Sequence, residues 1–114
     1  MKTVVLGVAS REDSNQRFIR AMETGQPQGD FISFGSPALL WKTLTPKRWE
    51  ILSILTGAEP VSIRETARRV HRDVKAVHGD VHALLGCGIL SKTDDDLIVF
   101  PFDKVHVDFM LDAA

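Results

Sequence analysis

Three residues, His71-Arg72-Asp73, are all that the sequence leaves between the end of one amphipathic helix and the start of the next. No other feature limits the fold as strongly. Upstream, Ser62-x-x-Glu65 reads as a capping box, and the helix it opens carries Ile63, Ala67 and Val70 on one face. Arg64, Arg68 and Arg69 fall on the other faces. Downstream, Asp73 reads as an N-cap, and Gly86 and Gly88 end a helix over residues 73–85. A connection this short holds the two helices at a steep angle.

The second of these helices has two unlike faces. Projected at about 100° per residue, Val74, Val77, Val81, Leu84 and Leu85 share one apolar sector. The opposite sector holds Arg72, Lys75, Ala76, Gly79 and Ala83, with His78 and His82 on one shoulder and Asp80 on the other. An exposed helix interior normally avoids glycine, which costs about 1 kcal/mol against alanine. Cations beside nearly bare backbone suit a helix that lies deep in a groove, with Arg72, Lys75 and His82 reaching bases or phosphates.

The rest of the chain supplies a frame. Residues 3–9 are β-branched and apolar and predict a buried strand. Ser10 predicts an N-cap for a helix to about Thr24, and a loop rich in Gly and Pro follows over residues 25–29. Phe31, Ile32 and Phe34 predict a second short strand. Ser36-Pro37 and Thr45-Pro46 each pair an N-cap with proline at the first helical position. The second of these helices is expected to turn Trp49, Leu52, Ile54 and Leu55 inward, and Gly57 to end it. Residues 89–92 and 97–102 flank Thr93-Asp94-Asp95-Asp96 and predict a hairpin. Over residues 105–111 apolar and other side chains alternate as in a half-buried strand.

Helix, helix, tight turn, helix and hairpin in that order make the layout of a winged helix-turn-helix, whose second motif helix enters the major groove. The expected class is α+β: a winged helix-turn-helix over residues 42–114, preceded by a strand-helix-strand extension over residues 1–41 and closed by a C-terminal strand. The extension and the last strand are candidate dimerisation elements, or else complete the core of a monomer. The expected DNA-facing residues are Ser62, Arg64, Arg68, Arg72, Lys75, Ala76, His78, Gly79, His82 and Lys92. Lys47 and Arg48 either flank the duplex or are solvated charges of a first helical turn.

Charge agrees with this placement. The net charge is −1, but residues 42–92 carry +4, residues 1–41 are neutral, and residues 93–114 carry −5. A positive field focused on one region attracts polyanions. The Asp94-Asp95-Asp96 tip would repel phosphates, with Lys92 alone to offset it, so either the wing does not enter the minor groove or its tip faces away from DNA.

Several segments together resemble a prokaryotic family of MarR-like winged-helix regulators. They are Leu44-Thr45-Pro46-Lys47-Arg48-Trp49-Glu50-Ile51-Leu52, Ser62-Ile63-Arg64-Glu65-Thr66-Ala67-Arg68-Arg69, Asp73-Val74-Lys75-Ala76-Val77-His78-Gly79-Asp80-Val81 and Leu84-Leu85-Gly86-Cys87-Gly88-Ile89-Leu90. The Asp-Val-Lys-x-Val-His-Gly-Asp-Val run is the most specific of these. The resemblance implies similarity to antitoxins, which repress their own operon and bind a partner toxin.

The leading expectation is a sequence-specific double-stranded DNA-binding transcriptional regulator, a dimeric repressor. The alternative is an antitoxin-type protein that neutralises a small toxin partner, for which the acidic C-terminal segment would suit a basic surface. A metal sensor is a third option: His78 and His82 stand four apart, but without a spaced thiolate set they fall short of a ligand set. No metal and no cofactor is expected. An enzyme is not expected either, since no phosphate-binding glycine loop, nucleophile elbow or zinc-hydrolase pair is present. The apolar runs are too short to cross a bilayer, and the N-terminus does not read as a signal or transit peptide. The single cysteine, Cys87, allows no intramolecular disulfide and is expected to be a small buried residue. A cytoplasmic location follows as the expectation, with no membrane contact.

Overall fold

The computed structural model describes residues 2–8 and 30–109 of the 114-residue chain. The helix expected over residues 10–24 and the last part of the expected C-terminal strand, Met110 and Leu111, lie outside the described residues. The chain is an α+β protein. Its elements are β1 (Thr3–Val8), β2 (Asp30–Phe34), α1 (Pro37–Thr43), α2 (Pro46–Leu55), α3 (Ile63–Val70), α4 (Val74–Gly86), β3 (Ser91–Lys92), β4 (Ile98–Val99) and β5 (Lys104–Asp108).

Each helix begins where a short polar side chain can take an orphan N–H. Ser36 accepts from the Leu39 N–H, Thr45 from Arg48, Ser62 from Glu65 and Asp73 from Lys75. Ser62 and Glu65 close only the first half of the capping box, because the Glu65 carboxylate is turned to Arg68 and Arg69. The helix ends are as specific. After α4, Gly88 has φ 84°, its N–H donates to the Leu85 carbonyl, and the Ile89 N–H donates to the Leu84 carbonyl. This is a Schellman motif, with Ile89 buried beside it. His71 takes the same left-handed role after α3, at φ 56°, while the Arg72 N–H donates to the Ala67 carbonyl. The turn is therefore fixed by hydrogen bonds although it contains no glycine.

α2, α3 and α4 pack on one another. Ile51, Leu52 and Leu55 of α2 meet Ala67 and Val70 of α3 and Val77, Val81 and Leu84 of α4 in one buried cluster. Trp49 is not inward as expected: it is 38% exposed, and Ile51 is fully buried. Nearly every side of α2 carries an apolar residue, so its pattern alone does not choose the inner face. Val74, 42% exposed, lies in the first turn of α4, outside the closely packed part of the helix.

β3 and β4 form a short antiparallel hairpin, with Ser91 opposite Val99 and Lys92 opposite Ile98. The ladder is shorter than expected because the Ile89 and Leu90 N–H groups both donate to the Leu84 carbonyl at the end of α4, and Phe100 bridges to Thr56 instead. Val61, between α2 and α3, exchanges two main-chain hydrogen bonds with Ile98, of 3.0 and 2.8 Å, so the hairpin is anchored beside the helices.

β1 lies between β2 and β5 and is parallel to both. Val4 and Leu6 are fully buried on one face of this sheet. Gly7 permits its closest approach, since a Cβ there would stand 2.5 Å from the Asp108 carbonyl oxygen. The pairing of β1 with β5 joins the beginning of the chain to the segment after the hairpin. Cys87 is exposed, contrary to expectation, because it caps α4 just before the chain turns at Gly88.

Candidate functional site

The outward side of α4 is the most distinctive polar surface. Lys75, Ala76, His78, Gly79 and His82 are all exposed on it. The His78 and His82 rings lie against each other, their centroids 4.1 Å apart. Nothing stands within 4 Å of a Cβ placed on Gly79. Five of the expected residues thus share one accessible helix face, with the bare backbone of Gly79 between the basic side chains.

Arg72 is the correction. The sequence pattern puts it among the outward cations, but its side chain is only 16% exposed and its guanidinium lies 2.9 Å from Asp80. Asp80 also accepts from Nε of Arg48, at 3.1 Å, and Nη1 of Arg48 donates to the Thr43 carbonyl at 3.1 Å. One carboxylate therefore ties the turn, α4 and α2 together, and Arg48 extends the tie to the end of α1. Burial pushes the Asp80 carboxyl up, but the hydrogen bonds from Arg72 and Arg48 outweigh it and hold the group below its ordinary value. Nη1 of Arg72 is buried without a partner among the described residues. Arg72 and Arg48 accordingly fix the angle and depth of α4 and do not present charge on its outer face. The only sequence signal for this was a single acid, Asp80, on the shoulder of an otherwise basic helix.

The remaining expected residues lie around this face. Arg68 is exposed and gripped by Glu65 through Nε, at 2.9 Å to each carboxylate oxygen, and through Nη2. The hydrogen bond from Arg68 leads the effects that lower the Glu65 carboxyl. Arg64 is exposed, and Ser62 spends its hydroxyl on capping α3. Lys92 pairs with Asp96 at 2.9 Å, so the acidic tip takes up the one hairpin cation near it. Asp94 and Asp95 are exposed. No group of three or more histidine, cysteine or acidic side chains that could hold a metal is present among the described residues. Among those residues, too, no helix is long and apolar enough to cross a membrane.

No curated protein and no solved structure matches the chain. The family model of HVO_A0114 matches residues 43–107. That match runs from the end of α1 through α4 and the hairpin to β5. It covers more than half of the sequence, and the chain belongs to the HVO_A0114 family.

Proposed function

We propose that this protein is a sequence-specific double-stranded DNA-binding transcriptional regulator, and not an enzyme, built as a winged helix-turn-helix with α4 as the recognition helix. In this reading α2, α3 and α4 form the three-helix unit, Val61 is the short strand between the first two, and β3 and β4 are the wing. The observation that carries it is the outer face of α4. An exposed helix side with Lys75, His78 and His82 around the open backbone of Gly79 fits a major groove, where close approach and a few long polar side chains are both needed.

Lys75 is the principal contact, and His78 and His82 lie beside it. Arg64 and Arg68 of α3 are placed to meet phosphates, which position a protein on the duplex without reading sequence. Arg48, Arg72 and Asp80 act one layer deeper by setting how α4 projects. The acidic hairpin tip stays clear of the phosphates. The protein acts as a dimeric repressor, since two copies bring two recognition helices to a two-fold symmetric site with half-sites about 34 Å apart.

A mobility-shift titration on duplex DNA from immediately upstream of the protein's own reading frame tests this. A shift that survives non-specific competitor, and that Lys75→Ala weakens with the fold intact, is the expected result. Binding equal on every duplex, or unchanged by Lys75→Ala and by Gly79→Leu, refutes the assignment of the face.

A further inference from the structure

We propose that β5 is the dimer interface, its outer edge pairing antiparallel with the same edge of a second copy about a two-fold axis through His106. β5 ends the sheet of order β2-β1-β5, and among the described residues nothing pairs with its outer side. The Lys104 N–H donates toward β1, to the Lys2 carbonyl at 3.3 Å. Main-chain groups alternate sides along a strand. His106 and Asp108 therefore also turn theirs toward β1, and Val105 and Val107 turn theirs to the open edge. That edge offers two donors and two acceptors in a row, which is a template for another strand.

The side chains select which strand. Lys104-Val105-His106-Val107-Asp108 is its own complement when reversed. In the centred antiparallel register Lys104 stands opposite the partner's Asp108, Val105 opposite the partner's Val107, and His106 opposite the partner's His106. The valine pairs are then the hydrogen-bonded ones. The Lys104–Asp108 pairs fall at positions where facing side chains come closest. Neither Lys104 nor Asp108 has an ion-pair partner among the described residues, and both are exposed. Registers that keep the same main-chain bonds but slip the strands lose this match. One sets Lys104 opposite His106, and the other leaves Lys104 beyond the end of the partner strand.

The apolar side of the strand agrees. Val107 lines a groove of about 590 Å³ with Leu40, Trp41, Leu44, Pro46 and Trp49. Trp41 is 59% exposed there, its ring edge-on to Phe109. A two-fold axis normal to the sheet keeps like faces on one side, so this groove and its copy flank the same seam of a six-stranded sheet.

The proposal rests on the regulator reading only for the need of two copies, and dimerisation is measured without DNA. Sedimentation equilibrium of the full chain is expected to show a monomer–dimer equilibrium. Lys104→Asp or Asp108→Lys alone sets like charges opposite each other twice per dimer and weakens it about tenfold. The two substitutions together restore dimerisation. Val107→Pro removes an outward N–H that β1 does not use and abolishes the dimer with helical circular dichroism retained. A native chain that stays monomeric, or a dimer indifferent to either single reversal, or a double variant no better than the singles, overturns the proposal. A monomer that still shifts specific DNA would leave α4 standing as the recognition helix and remove the dimer alone. A dimer of the expected kind that binds no specific DNA would overturn that reading alone.

Discussion

Replacing Asp80 with alanine should destabilise this protein far more than its position near the surface suggests. The carboxylate is 18% exposed and accepts from Arg48 at 3.1 Å and from Arg72 at 2.9 Å, whose side chains are 24% and 16% exposed. A hydrogen bond to a charged group contributes about 1.5–3 kcal/mol. The residual exposure favours the lower end of that range, so two such bonds amount to about 3 kcal/mol. The same size follows from the other side, because removing one partner of a buried pair strands the opposite charge at about 3–5 kcal/mol. Here two guanidinium groups are stranded, and Nη1 of Arg72 already lacks a partner among the described residues. Urea unfolding followed by circular dichroism gives the loss directly, from the shift in midpoint at constant slope. Adding Arg48→Ala to Asp80→Ala should then cost less than the sum of the two single changes, since one stranded cation has gone. A loss under about 0.5 kcal/mol for Asp80→Ala, as for a solvated pair, would refute the view that this carboxylate locks α4 in place.

Other consequences are independent of that one. The Asp80 carboxyl is held below its ordinary value of 3.8, so its contribution is fully present above that pH and is lost as pH falls through the lower folded value; a native urea midpoint that does not drop below about pH 4, or that drops equally in Asp80→Ala, would contradict this. Gly79→Ala should raise stability by about 1 kcal/mol, because nothing stands near the added methyl group and alanine is the better helix former, as thermal unfolding would show. Gly79→Leu should leave the fold intact and weaken specific DNA binding, and an unchanged mobility shift would deny close approach of the backbone. His71→Gly should stabilise by about 0.5–1 kcal/mol by relieving the left-handed residue at φ 56°, and a lower urea midpoint in that variant would show that His71 is favourable there.

Local features of this fold could be read from its sequence, and distant ones could not. Ser36, Thr45, Ser62 and Asp73 mark the starts of the four helices among the described residues, because an N-cap and its partner are two or three residues apart. Val77, Val81 and Leu84 announced the inner face of α4 because a helix repeats its faces every few residues. The same periodicity placed Lys75, Ala76, His78, Gly79 and His82 outward. It failed at Arg72, which precedes the helix and whose direction is set by Asp80 eight residues later and shared with Arg48 thirty-two residues before Asp80. It failed also at Trp49, where apolar residues surround α2. The parallel pairing of β1 with β5 brings together residues about a hundred positions apart, and no local pattern encodes that. The exposure of Cys87 follows from the left-handed turn at Gly88, whose effect on its neighbour is visible only once the chain direction is known.

The central claim is that α4 reads the edges of bases. Selection of duplexes from a random-sequence pool by the native protein, with Lys75→Ala selected in parallel, tests it most directly. Enrichment of one short motif repeated about a dyad, with the base preference nearest Lys75 relaxed in the variant, is the predicted result. A native pool with no enriched motif at physiological salt, or the same motif recovered unchanged by Lys75→Ala, would contradict it.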